Sequence, residues 1–238
     1  RCEIVELSAM ALDRRWSLIE DACEGLGTTV EGRPLGSFGD ISVYAFYPNK
    51  QITTGEGGVV LTDDAEVAEV LRSLRNQGRD QDGTWLRHVR LGFNYRLDEL
   101  SAALGVAQMT RRSELAAGRA RVAARYGERL RGIAGVTTPV AKPDTEVDWF
   151  VYVIRLADDI DRDQVMETLS AAGIPSRPYF SPIHLQPFYR DRFGYGPGDF
   201  PIAERVAAGT LALPFSSVLA DAEVDHVAEQ VRRAIHGG

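Results

Sequence analysis

A single lysine stands in a glycine-rich connection between two segments of strand character, and this stretch constrains the fold more than any other. Residues 44–58 read YAFYPNKQITTGEGG, with Lys50 between strands predicted at 41–47 and 58–62. Pro48 cannot extend the first strand's ladder, and the three glycines leave the backbone unhindered. A lysine on so short a connection is partly desolvated, which makes its amine available for nucleophilic attack. The alternative is a hairpin whose lysine points into water, as most lysines do.

A carboxylate is predicted at the end of an earlier strand. Residues 16–21 form a segment, predicted as the first buried strand, that ends in Asp21. Ligands bind at the carboxyl ends of strands in α/β sheets. A pyridoxal phosphate (PLP) site needs a lysine for the cofactor's aldehyde and a carboxylate that keeps the pyridine nitrogen protonated. Asp21 and Lys50 come from neighbouring elements and are compatible with this pairing. The alternative role of Asp21 is a helix cap after the strand.

Five motifs in consistent order carry a resemblance to a known family. They are Ile19–Glu24 (IEDACE), Gly36–Asp40 (GSFGD), Phe46–Gln51 (FYPNKQ), Thr53–Gly58 (TTGEGG) and Gly92–Leu97 (GFNYRL). They resemble the DegT–DnrJ–StrS family of PLP-dependent sugar-nucleotide aminotransferases, and the resemblance covers nearly the whole chain. It implies an α/β protein of PLP-dependent transferase fold type I. An incomplete large α/β/α domain would be followed by a smaller C-terminal α+β domain.

The resemblance implies a role for three residues near the glycine-rich stretch. Lys50 matches the family's Schiff-base lysine, which favours transamination over the dehydratases of the same family, since those have a histidine in its place. Lys50 would also be the general base that moves a proton between substrate and cofactor. Asp21 would hold the ring nitrogen protonated. Glu24 matches the position that contacts the ring hydroxyl, and its alternative is a solvent-exposed side chain.

Three further residues resemble family positions outside that stretch. Asn94 is similar to the residue that a neighbouring subunit contributes to the cofactor phosphate, which implies a homodimer with a shared active site. Its alternative is to cap a helix that begins at Leu97. The loop at 177–188 also matches the family, and Tyr179 and His184 would line the sugar-nucleotide pocket. For this loop the stronger alternative is packing on its own domain.

The activity that the resemblance implies is transfer of an amino group from an amino acid to a nucleotide-linked keto-sugar. Glutamate is the expected donor, and the expected context is polysaccharide or amino-sugar biosynthesis. Ala45 departs from the family, since many members carry a phosphate-binding serine there. The family's Gly-Ser/Thr phosphate loop and ring-stacking aromatic would precede Arg1, so we expect the later part of a longer protein. The alternatives are a truncated or degenerate, non-catalytic homologue acting as an auxiliary subunit, and a small-molecule binding module.

Composition and charge limit the kinds of binding partner and the cellular compartment that the sequence predicts. The net charge of -7 argues against a nucleic-acid partner. No apolar run approaches the roughly 20 residues needed to cross a bilayer, so no membrane association is predicted. Two cysteines are too few for a disulfide framework and favour a reducing cytoplasm. The four histidines lack ligand spacing, so the sequence predicts no metal site.

The prolines predict the domain organisation. None lies between Pro48 and Pro139, and nine of the eleven fall from Pro139 onward. We therefore predict a PLP-binding domain at 1–131 and a small α+β domain at 132–238. The first includes a long connecting helix from residue 97, broken near 110–113. The seven arginines of this helix are interpreted as a solvated face rather than a basic binding face, because glutamates are interspersed.

Overall fold

The computed structural model describes residues 2–80 and 87–237, which form two compact units. The first unit comprises Arg1–Glu114 and Lys142–Phe150, and the second comprises Leu115–Ala141 and Val151–Gly238. The predicted division at residue 131 differs from this one in two segments. Residues 115–131 group with the second unit because their arginines pair with the last helix of the chain. Residues 142–150 group with the first unit because a short strand there pairs with residues 29–30.

The first unit carries the lysine connection on a mixed sheet. Its helices are α1 (Ile4–Arg14), α2 (Ala65–Arg75) and α3 (Glu99–Thr110), and its strands are β1 (Ile19–Asp21), β2 (Thr29–Val30), β3 (Arg33–Pro34), β4 (Ile41–Ala45), β5 (Gly58–Leu61) and β7 (Thr145–Glu146). One sheet has the order β1-β4-β5, with β1 parallel to β4 and β4 antiparallel to β5. A second sheet has the order β3-β2-β7. The pair Asp63-Asp64 predicts the cap of a helix at about 64–76. The structure confirms it, since the Asp64 carboxylate caps α2 by accepting from the N–H groups of Glu66 and Val67.

The first half of the strand predicted at 16–21 is not a strand in the structure. The strand begins only at Ile19, because the turn that ends α1 occupies the preceding residues: Trp16 N–H donates to Ala11 O at 2.8 Å, and Arg15 has a left-handed backbone. The strand is also not buried throughout. Ile19 is 63% exposed, and the buried side chain of β1 is Glu20.

The second unit is an antiparallel sheet covered by helices. It contains most of α4 (Arg112–Leu130), with β6 (Val136–Thr137), β8 (Tyr152–Leu156), α5 (Arg162–Ala171), β9 (Arg177–Pro178), α6 (Pro187–Phe193), α7 (Pro201–Gly209), β10 (Thr210–Leu213) and α8 (Asp221–His236). The sheet order is β6-β8-β10-β9. The prolines, glycines and aromatic residues at 181–199 predict a long loop from the sequence. This prediction is wrong, because the segment contains α6 and a 3-10 turn at Ile183–Leu185. A proline at the first position of α6 and glycine after its end suit so short a helix.

The long connecting helix is interrupted where the sequence predicts a break. The helix α3 ends at Thr110 and α4 begins at Arg112. The start of α3 differs from the prediction, because Asp98 caps it by accepting from the N–H groups of Leu100 at 3.0 Å and Ser101 at 2.9 Å. The alternative in which Asn94 caps this helix is therefore wrong.

The arginines of α4 include a group that is neither a binding face nor merely solvated. Arg125 and Arg129 each donate two hydrogen bonds to the carboxylate of Asp225 on α8, at 2.6–3.0 Å. Arg121 pairs with Asp221, one turn earlier on α8. Charge-assisted, bidentate pairs of this kind fix two helices in register. The two arginines lower the pKa of Asp225 to about 2 through these hydrogen bonds, with Arg125 contributing more than Arg129.

We expect the stabilisation from Asp225 to depend on pH. A carboxyl group with a lowered folded-state pKa stabilises fully above its unfolded pKa of about 3.9, and the effect fades as the pH falls toward about 2. Asp225→Asn should thus be less stable than the wild type at neutral pH, with the difference vanishing in strong acid. Denaturation followed by circular dichroism at several pH values measures it. Asp159→Asn, at an exposed site, is the control. A difference independent of pH would contradict the role given to the charge.

Candidate active site

Lys50 lies on the connection between β4 and β5, and backbone hydrogen bonds within this connection fix its conformation. Phe46 N–H donates to Gly57 O at 2.8 Å, and Phe46 O accepts from Thr54 N–H at 2.9 Å. Gln51, the residue after the lysine, is only 2% exposed. The connection between two strands is as predicted, and its position is fixed by buried contacts on the carboxyl side of the lysine.

The side chain of Lys50 points into the first unit and not into water. It is 14% exposed, and its Nζ lies 3.2 Å from Glu24 Oε1. The same Nζ lies 4.5 Å from the centroid of the Phe150 ring. The alternative of a solvated hairpin lysine is therefore wrong. Glu24 is itself 51% exposed, so it meets both the lysine and solvent.

Asp21 ends β1, opposite Val43 of the parallel neighbour β4. Its Oδ1 accepts from Cys23 N–H at 3.1 Å and so closes a turn, which excludes the helix-cap alternative. Hydrogen bonds from Cys23 lower the pKa of Asp21, and the positive charge of Lys50 lowers it further. At neutral pH the structure thus places an ionised carboxylate at the end of β1 and a lysine on the connection that follows the neighbouring strand β4.

A buried carboxylate that sequence reasoning missed fixes the strand of Asp21. Glu20 is 6% exposed and accepts from three backbone N–H groups: Gly36 at 2.8 Å, Phe38 at 2.5 Å and Gly39 at 2.7 Å. These donors all lie in the GSFGD motif, whose role is therefore to clamp β1. The sequence signal for this role was the alternation of side chains along β1, which places Glu20 on the face of the strand opposite to Asp21.

The segment Lys142–Phe150, here called the strap, reaches the lysine from a distant part of the sequence. Its strand β7 pairs with β2. Asp148 N–H donates to Thr28 Oγ1 at 3.1 Å, and the Asp148 side chain pairs with Arg112 at 3.0 Å. Gln51 Nε2 donates to Glu24 O at 2.7 Å and lies 3.4 Å from Asp148 O. The strap ends in Phe150. The apolar run at 149–156 predicts a strand that includes this residue, but β8 begins only at Tyr152.

Asn94 is exposed, and its described contact is with the end of α2. Its backbone forms an isolated antiparallel bridge with Asn76. Arg96 donates to Asn76 Oδ1 at 2.8 Å, which fixes the same segment. This contact leads to α2 and not to Lys50, so the role of Asn94 in cofactor binding stays a prediction that depends on a second subunit.

Tyr179 and His184 both lie in the second unit but have different surroundings. His184 is buried, its Nε2 lies 3.0 Å from Glu204 Oε1, and its ring centroid is 4.7 Å from that of Phe200. These contacts favour packing of the loop on its own domain. Tyr179 is half-buried and borders an open groove of about 520 Å³ that Phe180 also lines. A role for either residue in substrate binding stays a prediction.

Within residues 2–80 and 87–237, no helix is long and apolar enough to cross a membrane. The same described residues contain no cluster of three or more histidine, cysteine and acidic side chains that could hold a metal ion.

A lysine amine in the electrostatic reach of an ionised aspartate that ends a parallel strand is the combination of groups that PLP-dependent enzymes use. The chain belongs to the DegT/DnrJ/EryC1/StrS aminotransferase family, whose model matches residues 1–232. Its structural neighbours share PLP-dependent transferase fold type I.

Individual relatives agree with this assignment. The chain is 38% identical to a GDP-perosamine synthase of Caulobacter vibrioides, over 95% of the chain and 61% of the relative. It is 34% identical to UDP-N-acetyl-3-dehydro-alpha-D-glucosamine 3-aminotransferase of Acidithiobacillus ferrooxidans, over 97% and 60%. The solved structure of DesV from S. venezuelae matches with a TM-score of 0.89 and 32% identity, over 98% and 62%. The chain thus spans about three fifths of the length of these relatives.

Proposed function

We propose that this chain is part of an aminotransferase that moves an amino group from an amino acid to a nucleotide-linked keto-sugar through PLP bound at Lys50. Glutamate is the expected donor. The observation that carries the proposal is the largely buried Lys50 amine, 3.2 Å from Glu24, in the electrostatic reach of the ionised Asp21. The names of the two enzyme relatives support a nucleotide-linked sugar as substrate and polysaccharide or amino-sugar biosynthesis as context.

The residues around Lys50 suit PLP chemically. When bound, PLP supplies an electron-withdrawing ring that stabilises negative charge on the substrate carbon. Lys50 would hold the aldehyde carbon and, once released, carry a proton to and from the substrate carbon as general base. Asp21 would keep the ring nitrogen protonated, because its own pKa is lowered and it stays ionised. Glu24 would accept from the ring hydroxyl. Ala45 offers the phosphate no hydroxyl.

The proposal includes a homodimer, and α3 supports it. No residue of α3, all of which the structure describes, is buried, although the helix is largely apolar. Leu100 is 85% exposed, Val106 66% and Met109 51%. Covering such side chains is worth roughly 25 cal/mol per Å² of apolar surface, which favours a partner on this face. Asn94 lies just before α3 and would then serve a neighbouring subunit's cofactor phosphate.

Two predictions from the sequence complete the proposal. Tyr179 and His184 would border the sugar-nucleotide pocket, with Tyr179 the better placed because it borders an open groove. A cytoplasmic location rests on the small number of cysteines in the chain.

The test of this function is covalent capture of the cofactor on Lys50. Incubation with PLP and reduction with borohydride should leave one pyridoxyl group per chain, which peptide mass mapping locates on Lys50. The chain offers a simple control, because Lys50 and Lys142 are its two lysines. Lys142→Arg should keep the adduct and Lys50→Arg should abolish it. Absence of an adduct on Lys50 would overturn the proposal and favour the auxiliary-subunit alternative.

A further inference from the structure

We propose that Glu24 and Phe150 form a resting position that holds the Lys50 amine whenever it is released from the cofactor. The proposal rests on the proposed function, since it concerns the lysine after its release from the cofactor, in the form that carries a proton. It adds to the sequence-based roles a residue that the family resemblance did not assign, Phe150, and a second role for Glu24.

Two contacts of the amine depend on its positive charge. Glu24 Oε1 lies 3.2 Å from Nζ and forms an ion pair with it. The Phe150 ring centroid lies 4.5 Å from Nζ, within the roughly 6 Å over which the negative face of an aromatic ring attracts a cation. With only 14% of the lysine side chain exposed, these two groups replace much of the hydration that the ammonium would have in water.

The fold holds the Phe150 ring in place by contacts that do not involve the lysine amine. The strap that ends in Phe150 is joined to β2 by β7. Two residues before the ring, the Asp148 side chain pairs with Arg112 at 3.0 Å and its N–H donates to Thr28 Oγ1. A side chain at Gly27, which has a φ of +83°, would collide with both Arg112 and Asp148. The ring is therefore presented to the amine by a pre-organised segment.

Bond formation with an aldehyde ends this resting state. The ammonium releases one proton to solvent, the nitrogen bonds to the aldehyde carbon, and the aldehyde oxygen leaves as water. The nitrogen then no longer carries the compact charge that Glu24 and Phe150 hold. Removing the aromatic face should therefore weaken the released state and favour the adduct. A merely structural role for Phe150 predicts the opposite, because a disturbed site would bind PLP less well.

The first measurement is the PLP concentration that gives half-maximal adduct on Lys50. Phe150→Leu keeps an apolar side chain and removes the ring, and it should lower this concentration about two- to fivefold. Phe150→Tyr keeps the aromatic face and should match the wild type. Phe150→Met replaces the leucine variant if that one melts at a much lower temperature. An unchanged or raised concentration in the variant without a ring would overturn the proposal.

The second measurement needs no PLP and so separates the two proposals. Formaldehyde with cyanoborohydride methylates amines, and mass mapping gives the labelling of Lys50 relative to Lys142, whose side chain is 47% exposed. This ratio should rise about two- to fivefold in Phe150→Leu and stay constant in Phe150→Tyr. If PLP forms no adduct in any variant while the ratio rises, the proposed function fails and the resting position stands. A ratio unchanged by the loss of the ring would refute the resting position even where PLP binds.

Discussion

Glu20→Ala should destabilise the first unit by about 3–5 kcal/mol, because three backbone N–H groups would lose a charged acceptor at once. The donors are Gly36, Phe38 and Gly39, and the carboxylate is 6% exposed. Water cannot easily replace it at Phe38 N–H, which is buried. Glu20→Gln should destabilise the unit less than Glu20→Ala, since the amide oxygen of glutamine still accepts a hydrogen bond. The NH₂ group of glutamine cannot accept one and would face a backbone N–H donor.

Tryptophan fluorescence during chemical denaturation measures this loss of stability in the first unit. All three tryptophans of the chain fall within the residue ranges of the first unit. The matched control is Glu6→Gln on α1, where the side chain is exposed and the change should stay within about 0.5 kcal/mol. A Glu20→Ala variant as stable as this control would show that the GSFGD turn does not depend on the carboxylate.

Glu20 also shows where sequence reasoning reached its limit. The neighbouring Asp21 was found because chemistry requires a carboxylate near a PLP lysine, whereas Glu20 contributes only to the fold. Acidic residues are seldom buried, so a reader of the sequence assigns Glu20 to solvent by default. The GSFGD motif is visible in the sequence, but its role is not. Only the structure shows that the turn surrounds the Glu20 carboxylate and that its N–H groups donate to it.

Local signals predicted the elements that depend on local interactions. The helices α2 and α5 begin after Asp64 and Asp161, whose side chains cap them. An aspartate before a helical pattern is a signal that the sequence alone provides. The strands on both sides of Lys50 begin at Ile41 and Gly58 as predicted, although they end two residues and one residue earlier than predicted. The break between α3 and α4 also lies where it was expected.

Elements that depend on distant partners were not predictable in this way. The strands β2, β3 and β7 are two residues long, too short to show any periodicity. The strap reaches Lys50 through pairing between residues more than a hundred positions apart, such as Asp148 and Thr28. Phe150 was therefore assigned to a strand by its apolar neighbours, although its position beside the lysine is set by long-range contacts.

Asp21→Asn should leave the Lys50 adduct intact and slow the amino-donor half-reaction by about 100-fold or more. The substitution removes the charge that would hold the proton on the ring nitrogen, and with it the electron-withdrawing power of the ring. It preserves the turn, since the amide oxygen of asparagine can still accept from Cys23 N–H. In the wild type this N–H donates to Asp21 Oδ1 at 3.1 Å. Glutamate added to the PLP-loaded protein, followed by absorbance, gives the rate. Asp13→Asn, exposed on α1, is the control.

Cys23 provides an independent measure of whether the charge of Asp21 has been removed without loss of the fold. Burial and the nearby Asp21 raise the pKa of the Cys23 thiol to about 11, burial being the larger cause. With Cys2→Ser leaving one cysteine, the pH at which Cys23 is alkylated should fall in Asp21→Asn but stay above the ordinary value of about 8.5, because burial remains. A normal half-reaction rate together with this shift would show that the charge is gone and that the chemistry does not require it, which would remove Asp21 from the proposed mechanism.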